Sequence, residues 1–172
     1  MRRAFLLLDR MFPALQSRTV VTLAALLAAV LVGTLAPATP AEAITRKQRI
    51  QNAFSVVNDQ RGDRYQYGAA GPHRFDCSGL TYYSFRKAGF RNVPRTSSAQ
   101  ARHTKRIPKS QLRRGDFVFF HNGAARASNV YHVGIFAGWV KGRRVIVHAP
   151  GTGSRVHRAK IWTRSWFAGT LR

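Results

Sequence analysis

The sequence predicts an α+β domain with helices first and a small antiparallel sheet second. Up to Gly89 the apolar residues recur every three to four positions, whereas after Gly115 they fall in short runs rich in Val, Ile and Phe. A chain of 172 residues with 45% hydrophobic content also suffices for one compact core but not for two full domains.

Residues 1–43 are set apart from that domain. Arg2, Arg3, Arg10 and Arg18 form a basic start, Val20 to Ala36 is an uncharged apolar run, and Pro37 and Pro40 break it. Ala41, Glu42 and Ala43 then supply a small-x-small cleavage pattern, so a secretory signal peptide is expected over 1–43 and a mature domain over 44–172. The alternative is a retained anchor, because an apolar run of about 17 residues is at the lower limit for spanning a bilayer.

The elements follow in order. Ile50, Ala53, Phe54 and Val57 predict an amphipathic helix over Arg46 to Asn58, ended by Gly62. Asp63 to Phe75, with Gly68, Gly71 and Pro72, reads as a loop. A second helix starts at Cys77, with Leu80, Ser84 and Ala88 on one face and Gly89 as its stop. Pro94 to Ile107 holds a short helix between turns. Asp116 to His121, Tyr131 to Gly138 and Arg144 to His148 are strands, and Arg155 to Ile161 is a candidate fourth. Lys141 and Gly142 suit a tight hairpin turn.

Charge and cysteine usage narrow the function. Without the leader, 25 basic residues face four carboxylates, Asp59, Asp63, Asp76 and Asp116, for a net charge of about +21. Such a surface suits anionic surroundings, although a merely solubilising basic face explains it equally well. No zinc-ligand cysteine pair or nucleic-acid motif is present, so nucleic acid is not an expected partner. Cys77 is the single cysteine, and in an oxidising compartment a lone thiol is buried, paired with another molecule, or reactive by purpose.

Its position favours reactivity. A glycine-rich loop becomes a helix at Cys77, so unpaired N–H groups and the helix dipole are expected to favour its thiolate. A cysteine nucleophile also needs an imidazole. His73, His103, His121 and His157 sit in loops, at a strand end or in a basic segment. His132 opens one strand and His148 closes the next, so a hairpin at Lys141 and Gly142 brings both rings to one edge of the sheet. Either histidine alone more often satisfies a strand end; with Cys77, one is a base and the other fixes its tautomer.

These residues resemble the NlpC/P60 peptidase family. The resemblance rests on Phe75-Asp76-Cys77-Ser78-Gly79-Leu80, on Pro94-Arg95-Thr96-Ser97 with Gln100, on Gly115-Asp116 before Phe117 to Phe120, on His132-Val133-Gly134-Ile135, and on His148-Ala149-Pro150. It spans about Arg49 to Ile161. Arg114 and Thr104 depart from the pattern, at loop positions where relatives often have proline and glycine.

The resemblance implies a minimal papain-like fold and hydrolysis of peptidoglycan stem peptides at the bond between D-glutamate and the diamino acid, without metal or cofactor. It implies Cys77 as nucleophile, His132 as base, His148 as the polar third member and Tyr65 as an oxyanion donor. Asp76, Ser78, Arg95 and Ser97 match a block near the substrate cleft; Asp76 is equally a helix cap. A secreted, wall-associated monomer is expected, with the basic surface as its tether to anionic wall polymer in place of an SH3-like domain. The alternatives are an amidase or acyltransferase using the same cysteine, and a non-catalytic basic module that binds the wall.

Overall fold

The computed structural model describes residues 44–172, and the leader reading over 1–43 lies outside the described residues. Helix α1, Arg46–Asp59, is capped by the Thr45 hydroxyl, which accepts from the Gln48 N–H at 3.1 Å. It buries Ile50, Ala53, Phe54 and Val57, the four positions whose spacing predicts it. The loop that follows contains two short parallel strands, β1 (Arg64–Tyr65) and β2 (Arg74–Phe75), which deliver the chain to helix α2, Cys77–Lys87. Helix α3, Ser97–His103, is capped by Thr96.

The strands are β3 (Lys105–Ile107), β4 (Phe117–His121), β5 (Val130–Val140), β6 (Arg143–His148), β7 (His157–Lys160) and β8 (Trp166–Thr170). They form one antiparallel sheet in the order β3-β8-β4-β5-β6-β7. The expected hairpin is present. Val140 pairs with Arg143, and Lys141 (φ 49°) and Gly142 (φ 70°) make a two-residue turn with both φ values positive.

Alternation divides the sheet into two apolar faces. Phe117, Phe119, Val133, Ile135 and Val147 pack with Ile50, Phe54, Leu80 and Phe85 of the helices. Val118, Phe120, Phe136, Ile146, Trp166 and Ala168 form a second cluster. The same period puts His132 and His148 on the second face, at the end of the sheet nearest the N-terminus of α2.

Two elements go beyond the sequence expectation. Strand β8 lies between β3 and β4, second from one edge of the sheet, and β3 pairs with its outer side. Asp116 holds this arrangement together, accepting from the Arg113 N–H (2.7 Å), the Thr170 hydroxyl (2.7 Å) and Arg172 Nη2 (2.8 Å). Its neighbour Gly115 sits at φ +90°, where a Cβ would lie 2.6 Å from Ile50 Cγ2. The Gly115-Asp116 block therefore closes the sheet and seats α1.

Candidate active site

Asp76 fixes the entrance of α2. Its Oδ1 accepts from the Gly79 N–H at 2.6 Å and its Oδ2 from the Gly68 N–H at 3.0 Å, which makes it the helix cap. Arg95 grips the same carboxylate through both arms, Nη1 to Oδ1 at 3.0 Å and Nη2 to Oδ2 at 2.7 Å. Those arms also donate to Ser78 Oγ (3.1 Å) and the Ala69 carbonyl (3.2 Å). Burial pushes the Asp76 carboxyl up, but the hydrogen bonds from Arg95, Gly79 and Gly68 outweigh it and hold the group below the ordinary carboxylate value.

The glycine after Cys77-Ser78 has a steric cause. A Cβ on Gly79 would stand 2.0 Å from the Ala69 carbonyl oxygen, so only glycine lets the preceding loop lie against the first helical turn. Gln100, 1% exposed, clamps that turn from the other side. Its Nε2 donates to the Ser78 and Pro94 carbonyls (3.0 and 2.9 Å), and its Oε1 accepts from the Thr81 hydroxyl at 2.7 Å. Every polar atom of the buried amide except one lone pair is thus used.

Cys77 is the first residue of α2, partly buried against the helix-side core. Its sulfur faces the N–H of Val133 as well as those of Ser78 and Cys77 itself. The register explains the contact with Val133. Phe136 donates to Asp116 on the β4 side, so alternation aims the Val133 N–H toward β6, which has ended at His148. The sulfur thus meets a strand N–H that the sheet leaves unpaired, one residue from His132.

His132 and His148 meet as the hairpin predicts: His132 Nε2 and His148 Nδ1 are 2.9 Å apart. Both rings are buried, at 6% and 3% exposure. Gly134 makes room, since a Cβ there would lie 3.2 Å from His148 Cβ and 2.7 Å from Ile146 Cδ1. Burial pushes His132 down to about 4, and burial with the neighbouring His132 and His157 takes His148 to about 3. The resting pair is neutral.

One electrostatic expectation is corrected. Burial pushes the Cys77 thiol up, with the charge of Asp76 adding to it, and the three N–H groups do not offset this. The helix entrance alone does not make a resting thiolate, because the sulfur is too far removed from water.

Tyr65 stands at the same place. Its hydroxyl is raised by burial and then by the charges of Cys77 and Asp76, so it lies close to both. Ser97 opens α3 beside the capping Thr96 and takes no part in the Arg95 hydrogen bonds named above. Two further groups escape the sequence reading. Trp162, in the loop before β8, stacks on Phe120 at 4.2 Å and 5°, with its ring 5.8 Å from His132 and 5.3 Å from His148. His157, paired with His148 across β6 and β7, places its ring 5.0 Å from it. Nothing in local sequence marks either residue: a loop tryptophan and an exposed strand histidine become neighbours of the site only through the sheet order.

Comparison with known proteins now decides the family. The profile of the NlpC/P60 family matches residues 62–172, more than half of the chain. The chain belongs to the NlpC/P60 family. A Corynebacterium glutamicum protein named as a probable endopeptidase is 36% identical over 142 residues, which cover 83% of this chain and 59% of that protein. Among solved structures, the P60 domain of a Mycobacterium avium subspecies paratuberculosis antigen superposes with a TM-score of 0.61 at 26% identity, covering 73% of this chain and 96% of that one. RipD of Mycobacterium tuberculosis, described as a non-catalytic NlpC/p60 domain protein adapted to peptidoglycan binding, shares the fold with a TM-score of 0.59 at 20% identity, covering 73% of this chain and 98% of its own. The chain spans 14% to 59% of the length of the curated relatives it matches. Within the NlpC/P60 domain the α+β architecture agrees with the sequence expectation, helices packed on an antiparallel sheet.

Proposed function

We propose that this NlpC/P60 chain is an exported thiol endopeptidase that cuts peptidoglycan stem peptides, at the bond between D-glutamate and the diamino acid. The observation that carries the reading is the 2.9 Å contact between His132 Nε2 and His148 Nδ1, one residue from the Val133 N–H that faces the Cys77 sulfur.

In this mechanism the free Nδ1 of His132 takes the thiol proton, which requires its Nε2 to carry hydrogen and His148 Nδ1 to accept it. Because the resting thiol and imidazoles are all neutral, proton transfer accompanies attack on the peptide carbonyl rather than preceding it. The Cys77 N–H and the Tyr65 hydroxyl receive the developing oxyanion. His132 then gives its proton to the leaving amine, and water resolves the acyl-enzyme. Asp76, Arg95 and Ser78 hold the nucleophile's turn in place and, with Ser97, border the substrate. Export and cleavage after Ala43 place the enzyme at the wall, where its positive charge keeps it.

Cys77→Ala should abolish release of peptide fragments from purified peptidoglycan; undiminished release ends the proposal. Mass analysis of the new termini identifies the bond. The raised thiol favours one second reading, a domain that binds wall peptide without cutting it. Tight sedimentation of wild-type protein with walls, without any fragment release, is the result that would establish it.

A further inference from the structure

Around β8 and the segment after β3, cations are fixed on aromatic faces. The Arg106 guanidinium lies 4.4 Å above Phe167, and Lys109 Nζ lies 4.3 Å above Trp166 while donating to the Arg164 carbonyl at 3.0 Å. Arg144 stacks on Trp139 at 4.4 Å and reaches Trp166 at 5.8 Å. Two adjoining hollows share Arg164 and Trp166. One, of about 650 Å³, is lined by Arg106 and Lys109, and the other, of about 370 Å³, by Arg143 and Arg144. No acidic residue lines either hollow.

This arrangement is electrostatically incomplete. Burial, then Arg144 and Arg106, pull the Lys109 ammonium below its ordinary value, so like charges act on it with no carboxylate between them. Arg144 Nε is buried without a hydrogen-bond partner, a group that native proteins seldom leave unsatisfied. The four carboxylates of the domain are elsewhere: Asp76 pairs with Arg95, Asp116 with Arg172, and Asp59 and Asp63 lie at the end of α1. A bound anion would supply the missing opposite charge.

The chemistry narrows that anion. Trp166 and Phe167 are buried and their faces already hold cations, which leaves Trp139, itself stacked by Arg144, as the exposed ring of the hollows; one such ring is not the succession of platforms on which nucleobases stack. Guanidinium groups suit tetrahedral phosphate, and two hollows joined at Arg164 suit successive charges along a chain better than a single ion. We propose that this trough binds consecutive phosphate groups of a phosphodiester-linked polyol polymer of the bacterial wall. The choice of a wall polymer rests on the export reading above; the binding test does not depend on Cys77.

The test is binding of the purified protein to lipid-free poly(glycerol phosphate), followed by calorimetry across a salt series. Arg106→Gln with Lys109→Gln should weaken binding at least tenfold. Lys47→Gln with Arg102→Gln, which removes equal charge from exposed positions on α1 and α3, should change it less than twofold. Arg143→Gln with Arg164→Gln, both exposed, repeats the test should the first pair fold poorly. Equal weakening by the control pair, or absence of binding, overturns the site. Binding to phosphatidylglycerol vesicles but not to the soluble polymer, or tighter binding of a single-stranded oligonucleotide with the same sensitivity to Arg106 and Lys109, also overturns the polymer assignment.

Discussion

His132 Nε2 and His148 Nδ1 stand 2.9 Å apart on adjacent strands, a separation at which the two rings share one proton. That contact orders the loss expected on substitution. In the proposed mechanism His132→Ala removes the base, and it should lower kcat/KM on a soluble muropeptide about 10² to 10⁴-fold. His148→Ala only frees the His132 ring to turn, so it should lose less, and His148→Asn, whose amide oxygen still accepts from Nε2, should recover part of that loss in kcat. Steady-state kinetics of the three variants check the order. Equal defects in all three would leave His148 no orienting role.

Acid should unfold the domain through these same rings. Burial holds His132 at about 4, whereas an unfolded imidazole titrates near 6.5, so the native state favours the neutral form. The resulting stability is complete above pH 6.5 and is lost as pH falls toward 4. For His132 alone this is about 3 kcal/mol. Thermal unfolding between pH 7.5 and pH 4 should show the decline, and His132→Gln with His148→Gln should flatten it. An unchanged slope in the double variant would mean that other groups govern the acid limb.

The site was legible in the sequence where local pattern and long-range geometry coincide. His132 and His148 close on each other because strand period puts both on one face, and the two-residue turn at Lys141 and Gly142 folds the start of β5 back toward the end of β6. The place of Cys77 at the start of α2 was legible because a glycine-bearing loop precedes a helix. Strand β8 was not, since Trp166 to Thr170 are buried on both faces and show no alternation, and Gly169 within it weakens any strand signal. Its glycine has a reason only in three dimensions: a Cβ there would lie 2.4 Å from Thr104 Oγ1. The state of the thiol was misjudged for a similar reason. Helix position can be read along the chain, but the burial that outweighs it arises only when α2 packs into the core.

Gly134 separates geometry from stability. An alanine there would meet Ile146 Cδ1 at 2.7 Å, which can move, and His148 Cβ at 3.2 Å, which carries the second imidazole. Gly134→Ala should therefore cost about 1 to 3 kcal/mol of stability. The variant should still fold, with a loss of activity near that of His148→Ala. Full activity at a lowered Tm would show that the imidazole pair tolerates the shift.

Trp162 gives the sharpest test of why the imidazoles are neutral. Its ring is half exposed, lies flat on Phe120 at 4.2 Å, and covers both His132 and His148 at less than 6 Å. Removing it admits water to rings whose low values arise first from burial. In Trp162→Ala both imidazoles should move back toward 6.5, so the acid limb of kcat/KM should shift upward and activity at pH 5.5 should fall more than activity at pH 8. Trp162→Phe keeps an aromatic face over Phe120 and should hold the profile near that of wild type. A loss of the same size at every pH in both variants would mean that Trp162 contacts substrate and does not shield the base. The pH profile separates these cases where a single rate measurement does not, because only a change in hydration of the rings moves the limb.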